Sequence, residues 1–477
     1  MHRRRTRRHF LQAVSAVAAV PMVFRTACRK ASAAESCAAE KRPLPTPAQL
    51  RWQDYEVGII FHFDMPIAAR AAVPNNATKQ TFDPQLYNPT KLDTDQWAEV
   101  AKAAGARYAV FTATHFNGFM QWQSDLYPYG VKQAAWRNGK GDVVADFVRS
   151  CRKVGIEPGI YLSTHRNAYH TVWGHYVDWG KGKGTAKQER FNRIAEAMTD
   201  ELTSRYGPLS QIWFDAGVKT PAEGGPDVLP IFERNQPDSI FYHNKDRSDH
   251  RWIGNEKGYA NDPCWATMPG EGDVSHNADR WRPLLSSGDP DGTVWSPGMV
   301  DVPLRGYDGI HDWFWAPDHE RGIEPLDRLL AMYYQSVGRN CNFIIGAVIS
   351  PEGLVPEADA RRLAEFGTEI RRRFDRPAVA ETRGSGNEFL LLFSEAKTID
   401  HIILQEDIAL GERIREFVVD SSGSPSELAR GKSVGHKRIL RFEPRPLTWI
   451  RLRITKQTGV PHLRRFAAFE ALDSQDP

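Results

Sequence analysis

Between residues 57 and 373 the chain alternates short, nearly continuous apolar runs with longer amphipathic stretches. The runs are "VGIIFHF" (57–63), "RYAVFTAT" (107–114), "EPGIYLST" (157–164), "QIWFDA" (211–216), "SIFYHN" (239–244) and "CNFIIGAV" (341–348). A strand that faces water on one side alternates polar with apolar residues. Runs that do not alternate belong to a parallel sheet covered by helices on its faces. The intervening segments read as those helices. "TDQWAEVAKAAG" opens on a Thr-Asp cap, and "DVVADFVRSCRKVG" ends on glycine, the residue that turns left-handed at least cost. In "ERFNRIAEAMTDELTSRYG", Phe191, Ile194, Ala195, Met198 and Leu202 share one helical face. Six or more such units in about 320 residues predict an α/β fold, a (β/α)8 TIM-like barrel over residues 45–373. No glycine-rich dinucleotide fingerprint follows the first strand, so an open Rossmann sheet is disfavoured.

The pattern changes after Arg373. "EFLLLF", "IDHIILQE", "REFVVDS", "KRILRFE" and "TWIRLRIT" carry no helical period. They predict a C-terminal antiparallel β-sandwich over residues 380–475.

Barrel enzymes build their sites at the C-terminal ends of the strands, and His62, His115, His165, Asp215 and His243 fall at such ends here. Asp215 closes "LSQIWFDAG", where small residues follow an apolar run. Cleaving a glycosidic bond takes two carboxyl groups, one on each side of it. Asp215 supplies one. Glu256 in "RWIGNEKGYA", between Trp252 and Tyr259, is a candidate for the other. A partly apolar setting there raises a carboxyl pKa and suits a general acid. Glu233, Asp246, Asp249, Glu271 and Asp273 compete for that role on spacing alone. The acids and histidines lie far apart in sequence and not at ligand spacings, so neither a metal nor a cofactor is expected.

Residues 1–33 hold eight Lys or Arg and no acid, which leaves the rest of the chain at −5 although the whole is +3. Such a chain has no phosphate-tracking surface, and nucleic acid is not an expected partner. "TRRHFLQ", with Arg7 and Arg8, matches a twin-arginine export signal. The apolar stretch behind it is too short to span a bilayer, and "ASA" at 31–33 offers a cleavage site. A periplasmic or secreted protein is expected. Cys37, Cys151, Cys264 and Cys341 show no close-paired spacing, and Cys151 and Cys341 read as buried thiols.

Several motifs in order resemble one family. "IIFHFDMP", "YNPTKLDTDQWAEVAKAAGARYAVFTATHFNGFMQWQSDLYPYGV", "IWFDAG" and "SVGRNCNFIIGAVISPEGLVP" are similar to the α-L-fucosidases of glycoside hydrolase family 29 over about residues 50–370. The resemblance implies a retaining exo-glycosidase acting on terminal α-L-fucosides of oligo- or polysaccharides, by double displacement. It implies Asp215 as nucleophile and, through similarity of "RWIGNE-GYA" to the linkage-selective branch, Glu256 as acid/base. His62, His115, Tyr161 and Trp313 would contact the sugar, and Arg305 in "DVPLR" would be a basic residue near the acid/base loop. The C-terminal part resembles a discoidin-type, galactose-binding-like domain, expected to pack on the barrel more than to bind glycan.

The chain departs from the family pattern in two places. In "HFNGF", Phe116 and Asn117 stand where a second histidine and an acid are usual, and in "PGMVD", Met299 stands where Glu is common. A phenyl ring cannot hydrogen-bond a hydroxyl, so the departure points to altered specificity with the nucleophile kept. A retaining enzyme for an α-galactoside-like sugar, and a non-catalytic glycan-binding protein on a degenerate barrel, remain the alternatives at this stage. Oligomeric state is not legible.

Overall fold

The computed structural model describes residues 42–70, 79–275 and 279–472. The export signal at 1–33 and Cys37 lie outside the described residues.

Eight strands form one parallel sheet: β1 (Val57–His62), β2 (Tyr108–Thr114), β3 (Glu157–Leu162), β4 (Gln211–Phe214), β5 (Ile240–Tyr242), β6 (Arg251–Trp252), β7 (Gly298–Pro303) and β8 (Cys341–Val348). Their order is β5-β4-β3-β2-β1-β8-β7-β6, so β8 lies beside β1 and every strand but β5 and β6, the two ends of the sheet, lies beside both of its neighbours in sequence. This is the winding of a (β/α)8 unit. Ile59 pairs with both Ala109 of β2 and Ile345 of β8. Every residue of β1, β2 and β8 is buried, which is why these runs read as continuous apolar segments. Asp249, two residues before β6, bonds to β5. Its N–H donates to Phe241 O (3.1 Å) and its carboxylate accepts from Phe241 N (2.7 Å).

Two strands escaped the sequence reading. β6 is two residues long, and β7 carries Asp301 and Pro303, so neither gives an unbroken apolar run.

The helices follow the pattern with one correction. α1 (Pro47–Tyr55) starts in a capping box between Thr46 and Gln49. α2 (Thr94–Ala103) is capped by Asp93, not by Thr94, and its carboxylate accepts from the N–H groups of Asp95 and Gln96. α3 (Val143–Val154) runs from an Asp142 cap to Gly155, whose φ of 80° ends it. α4 (Ala186–Ser204) buries Phe191, Ala195, Met198 and Leu202, while Ile194 is half-buried. α5 (Leu229–Asn235), α6 (Leu326–Gln335) and α7 (Glu357–Phe374) complete the set used below.

On one face of the sheet, Ile60, Tyr108, Val110, Trp213, Met299 and Ile344 form a packed core. Its polar tips are paired. Tyr108 Oη donates to Asn342 Oδ1 (2.6 Å) and Trp52 Nε1 to Gln211 Oε1 (3.0 Å). This packed face leaves the strands' C-terminal ends as the place where unpaired polar groups meet solvent.

The C-terminal part is an antiparallel β domain of β9 (Thr382–Ser385), β10 (Glu388–Glu406), β11 (Ile414–Ser421), β12 (Glu427–Gly431), β13 (Arg438–Gln457) and β14 (His462–Glu470), ordered β9-β14-β10-β13-β11-β12. One set of side chains, including Leu391, Phe417 and Leu452, makes its own core. Ile403, Ile439, Ala467 and Phe469 turn the other way and join Phe366 and Phe374 in the barrel's core. Arg438 pairs with Asp262 through Nη1 (2.7 Å), and His436 Nε2 lies 2.9 Å from Asp54. Cys151, Cys264 and Cys341 are buried free thiols, and the last two stand 3.5 Å apart, a proximity that their spacing hides. Among the described residues no helix is long and apolar enough to cross a membrane.

Candidate active site

Asp215 stands one residue past β4, on a turn that needs two positive φ angles: Ala216 at 55° and Gly217 at 78°. Gly217 N–H donates back to Phe214 O (2.8 Å) and so fixes the carboxylate at the strand end. Tyr161 on β3 donates its hydroxyl to Asp215 Oδ2 (2.8 Å). Tyr161 therefore acts on the carboxylate, beyond the sugar contact expected of it. Burial raises the Asp215 carboxyl above the usual range, and the charge of Glu256 pushes the same way; the Tyr161 hydrogen bond opposes both.

Glu256 comes from the loop after β6. Its Oε2 lies 2.6 Å from His311 Nε2 and accepts from Trp313 Nε1 at 3.0 Å. No protein donor reaches Oε1 among the described residues. Burial alone would raise this carboxyl, but the hydrogen bonds from His311 and Trp313 outweigh it and hold the group below the usual range. The apolar, raised setting expected from sequence is thus corrected. His311, in return, is raised by that same hydrogen bond.

The wall between these carboxyls is aromatic. The His62 ring lies 5.2 Å from Trp313, 5.1 Å from Phe314 and 6.3 Å from Tyr161. His115 stacks on Tyr161 at 5.3 Å and meets Phe314 edge-on at 4.8 Å. Burial depresses both histidines, His62 to about 3, so both are neutral at ordinary pH. Their buried Nδ1 atoms have no protein partner. Leaving buried polar atoms unpaired is costly, and a ligand rich in hydroxyls would satisfy them.

A third carboxyl, Asp301 on β7, was not singled out from sequence. Its Oδ1 accepts from Trp252 Nε1 (2.8 Å). Burial drives its pKa well up, and the charges of Glu256 and Asp215 add to the effect. The signal was present as an Asp inside an apolar strand, "GMVDVP". Of the competing carboxylates, Glu233 and Asp249 are taken by Arg247 (3.1 and 2.8 Å), and Asp273 accepts from Ser275 N–H.

Other expectations are corrected. Arg305 is fully buried and holds Asp359 through two bonds (2.9 and 2.8 Å), so it does not reach the pocket. Asn117, which stands where an acid is usual, is buried and bonds Asp64 and the N–H of Phe119. Phe116 stacks on His115 at 3.9 Å, with the Arg166 guanidinium 4.6 Å above its ring. His165 packs on His175 (4.6 Å), while the His243 ring lies against Gly217, behind the Asp215 turn. Among the described residues no group of three or more His, Cys, Asp or Glu is placed to hold a metal.

The α-L-fucosidase family model matches residues 75–372, more than half of the chain. The chain belongs to the α-L-fucosidase family. Alpha-L-fucosidase 1 of Arabidopsis thaliana is 29% identical over 452 residues, covering 84% of this chain and 82% of the relative. A solved structure from Bacteroides thetaiotaomicron, described as a candidate α-L-fucosidase, is 42% identical with a TM-score of 0.86, covering 91% of this chain and 100% of that one. A glycoside hydrolase 29 family member from a rumen bacterium is 26% identical with a TM-score of 0.75, covering 91% of this chain and 79% of that one. As a member of the fucosidase family, the protein is a glycoside hydrolase.

Proposed function

We propose that this fucosidase is a retaining exo-enzyme of the linkage-selective branch, with Asp215 as nucleophile and Glu256 as acid/base. One observation carries the reading. Two carboxyls from separate strand ends are joined by one chain of contacts: Tyr161 donates to Asp215 and stacks on His115, His115 meets His62, His62 meets Trp313, and Trp313 donates to Glu256. Asp215 attacks the anomeric carbon while Glu256 gives a proton to the departing oxygen, and a glycosyl ester forms. Glu256 then takes a proton from water, which attacks the same carbon from the opposite face and releases the sugar with its configuration kept. Tyr161 orients Asp215. His311 and Trp313 occupy Glu256 Oε2, which leaves Oε1 toward the leaving group. Covering Glu256 with substrate removes water from it, which works against the His311 and Trp313 hydrogen bonds that hold its pKa down and favours the protonated acid. The neutral Nδ1 atoms of His62 and His115, and the Asp301 carboxyl, serve the sugar's hydroxyls. The Arg7–Arg8 motif supports twin-arginine export of the enzyme.

The test is Asp215→Asn with an aryl α-L-fucoside. Turnover should fall by several orders of magnitude in a folded protein, and azide should restore part of it. Proton NMR of the wild-type product should show α-L-fucose first. Near-normal turnover in the variant, or initial release of the β-anomer, refutes the mechanism.

A further inference from the structure

Between β3 and α4 a small hairpin pairs Arg166 with Trp173 across its strands. The Arg166 guanidinium lies 4.2 Å over the Trp173 ring on one side and 4.6 Å over Phe116 on the other. Phe116 stacks in turn on His115. Beyond Trp173, the Lys79 ammonium lies 4.7 Å from that ring and 5.1 Å from Trp179, which is 37% exposed. Rings and cations thus alternate from the pocket wall to the surface: His115, Phe116, Arg166, Trp173, Lys79, Trp179.

Buried arginines of this chain meet acceptors: Arg305 holds the Asp359 carboxylate and Arg251 the carbonyls of Leu285 and Trp265. Arg166 does not. Among the described residues its guanidinium has no hydrogen-bond acceptor and no acidic partner, and its buried Nε–H donor is unpaired. Only its backbone is tied down, by Ser163 Oγ, which donates to Arg166 O at 3.0 Å. Lys79 likewise has no carboxylate beside it among the described residues. Native proteins rarely leave a buried donor unmet. A guanidinium clamped between two aromatic faces keeps its in-plane N–H groups free, in the fork that suits planar or tetrahedral oxyanions. Through Phe116 it lies one ring away from His115, which stacks on Tyr161, the donor to Asp215. The Phe116 departure fits this arrangement, since a phenyl face supports the guanidinium without competing for its donors.

We propose that Arg166, backed by Lys79, forms an anion subsite at the rim of the fucosidase pocket. It takes a sulfate ester or a carboxylate carried by the substrate beside the scissile bond. The proposal rests on the fucosidase reading but is separable from it.

The experiment compares kcat/KM on four substrates: an aryl α-L-fucoside, the same compound sulfated on its fucose ring, and α-L-fucosyl disaccharides ending in glucose or in glucuronic acid. Wild type should favour at least one anionic member over its neutral counterpart by about tenfold or more, as expected for a charge-assisted bidentate contact. A gain in the sulfated arm places the anion on the fucose; a gain in the uronate arm places it on the leaving sugar. Arg166→Gln should lower the anionic-to-neutral ratio roughly 10- to 100-fold, Arg166→Lys should keep part of it, and Lys79→Gln should lower it less. An unchanged ratio in Arg166→Gln overturns the proposal, as does a wild type indifferent to charge in both arms. Failure of the wild type on every fucoside would instead refute the fucosidase reading. In that case calorimetry with fucose and fucose sulfate decides the subsite, and equal affinities, or a preference that survives Arg166→Gln, overturn it.

Discussion

Arg305→Met separates the two readings of Arg305. The sequence motif placed this residue near the substrate, whereas the structure places it fully buried, with Nε and Nη2 on the two oxygens of Asp359 at the start of α7. Its backbone O accepts from Asp312 N–H (2.9 Å), and its Nη1 donates to Ala316 O (3.3 Å). It therefore spans both ends of the loop that carries His311, Trp313 and Phe314. Removing one partner of a buried ion pair costs about 3–5 kcal/mol, because the other is left charged and dry. An unfolding entropy of about 2.1 cal/mol/K per residue over the unit from Pro43 to Pro477 gives roughly 0.9 kcal/mol/K. The melting temperature should then drop by ~3–6 °C. The cost depends on pH. Burial already pushes the Asp359 carboxyl up despite Arg305, and without the guanidinium it rises further. A folded pKa above the unfolded one favours the protonated native state. The penalty is therefore smallest in acid and grows as pH climbs through the raised value. Arg305→Met/Asp359→Leu, which removes both charges, should recover most of the loss. The assays are calorimetric melting at pH 5 and pH 8, together with kcat/KM on an aryl fucoside. Activity should fall along with stability as the loop loosens. A variant with wild-type melting behaviour but a collapsed kcat/KM would refute the argument and return Arg305 to the substrate.

Two further perturbations test the Asp215 turn. Among the described residues Tyr161 is the side-chain donor to Asp215, and its hydrogen bond holds the carboxyl pKa down, so in Tyr161→Phe that pKa should rise further. Because the nucleophile must be ionised, the acid limb of the kcat/KM profile should move to higher pH, and an unmoved limb refutes the coupling. Gly217→Ala forces a side chain into a φ of 78° and puts a Cβ 2.7 Å from His243 Cε1. The left-handed backbone costs roughly 1–2 kcal/mol, and the displaced turn should lower kcat by at least about tenfold; urea melts and kinetics matching wild type would show that the turn tolerates both.

What the sequence determined by itself is what local periodicity encodes. The six long apolar runs, the faces of α3 and α4 and the switch to β structure after Arg373 are all set by burial acting on near neighbours along the chain. Asp215 was legible for the same reason, since a carboxylate ending an apolar strand of a parallel sheet falls at the mouth of the fold. β6 and β7 were not legible, because two residues hold no period and Asp301 breaks the apolar run. Only the tertiary structure decided which charges meet. Arg305 and Asp359 are 54 residues apart, as Glu256 and His311 are 55, and no local pattern shows that the first pair is sealed off while the second opens on the pocket. The direction of the Glu256 shift depended on that pairing, because burial and hydrogen bonding pull a carboxyl in opposite directions and their balance is set by partners distant in sequence. Phe116 shows the same limit. The sequence announced a lost hydrogen bond, and the fold supplied what replaced it, a guanidinium held between two rings by a hairpin some fifty residues further on.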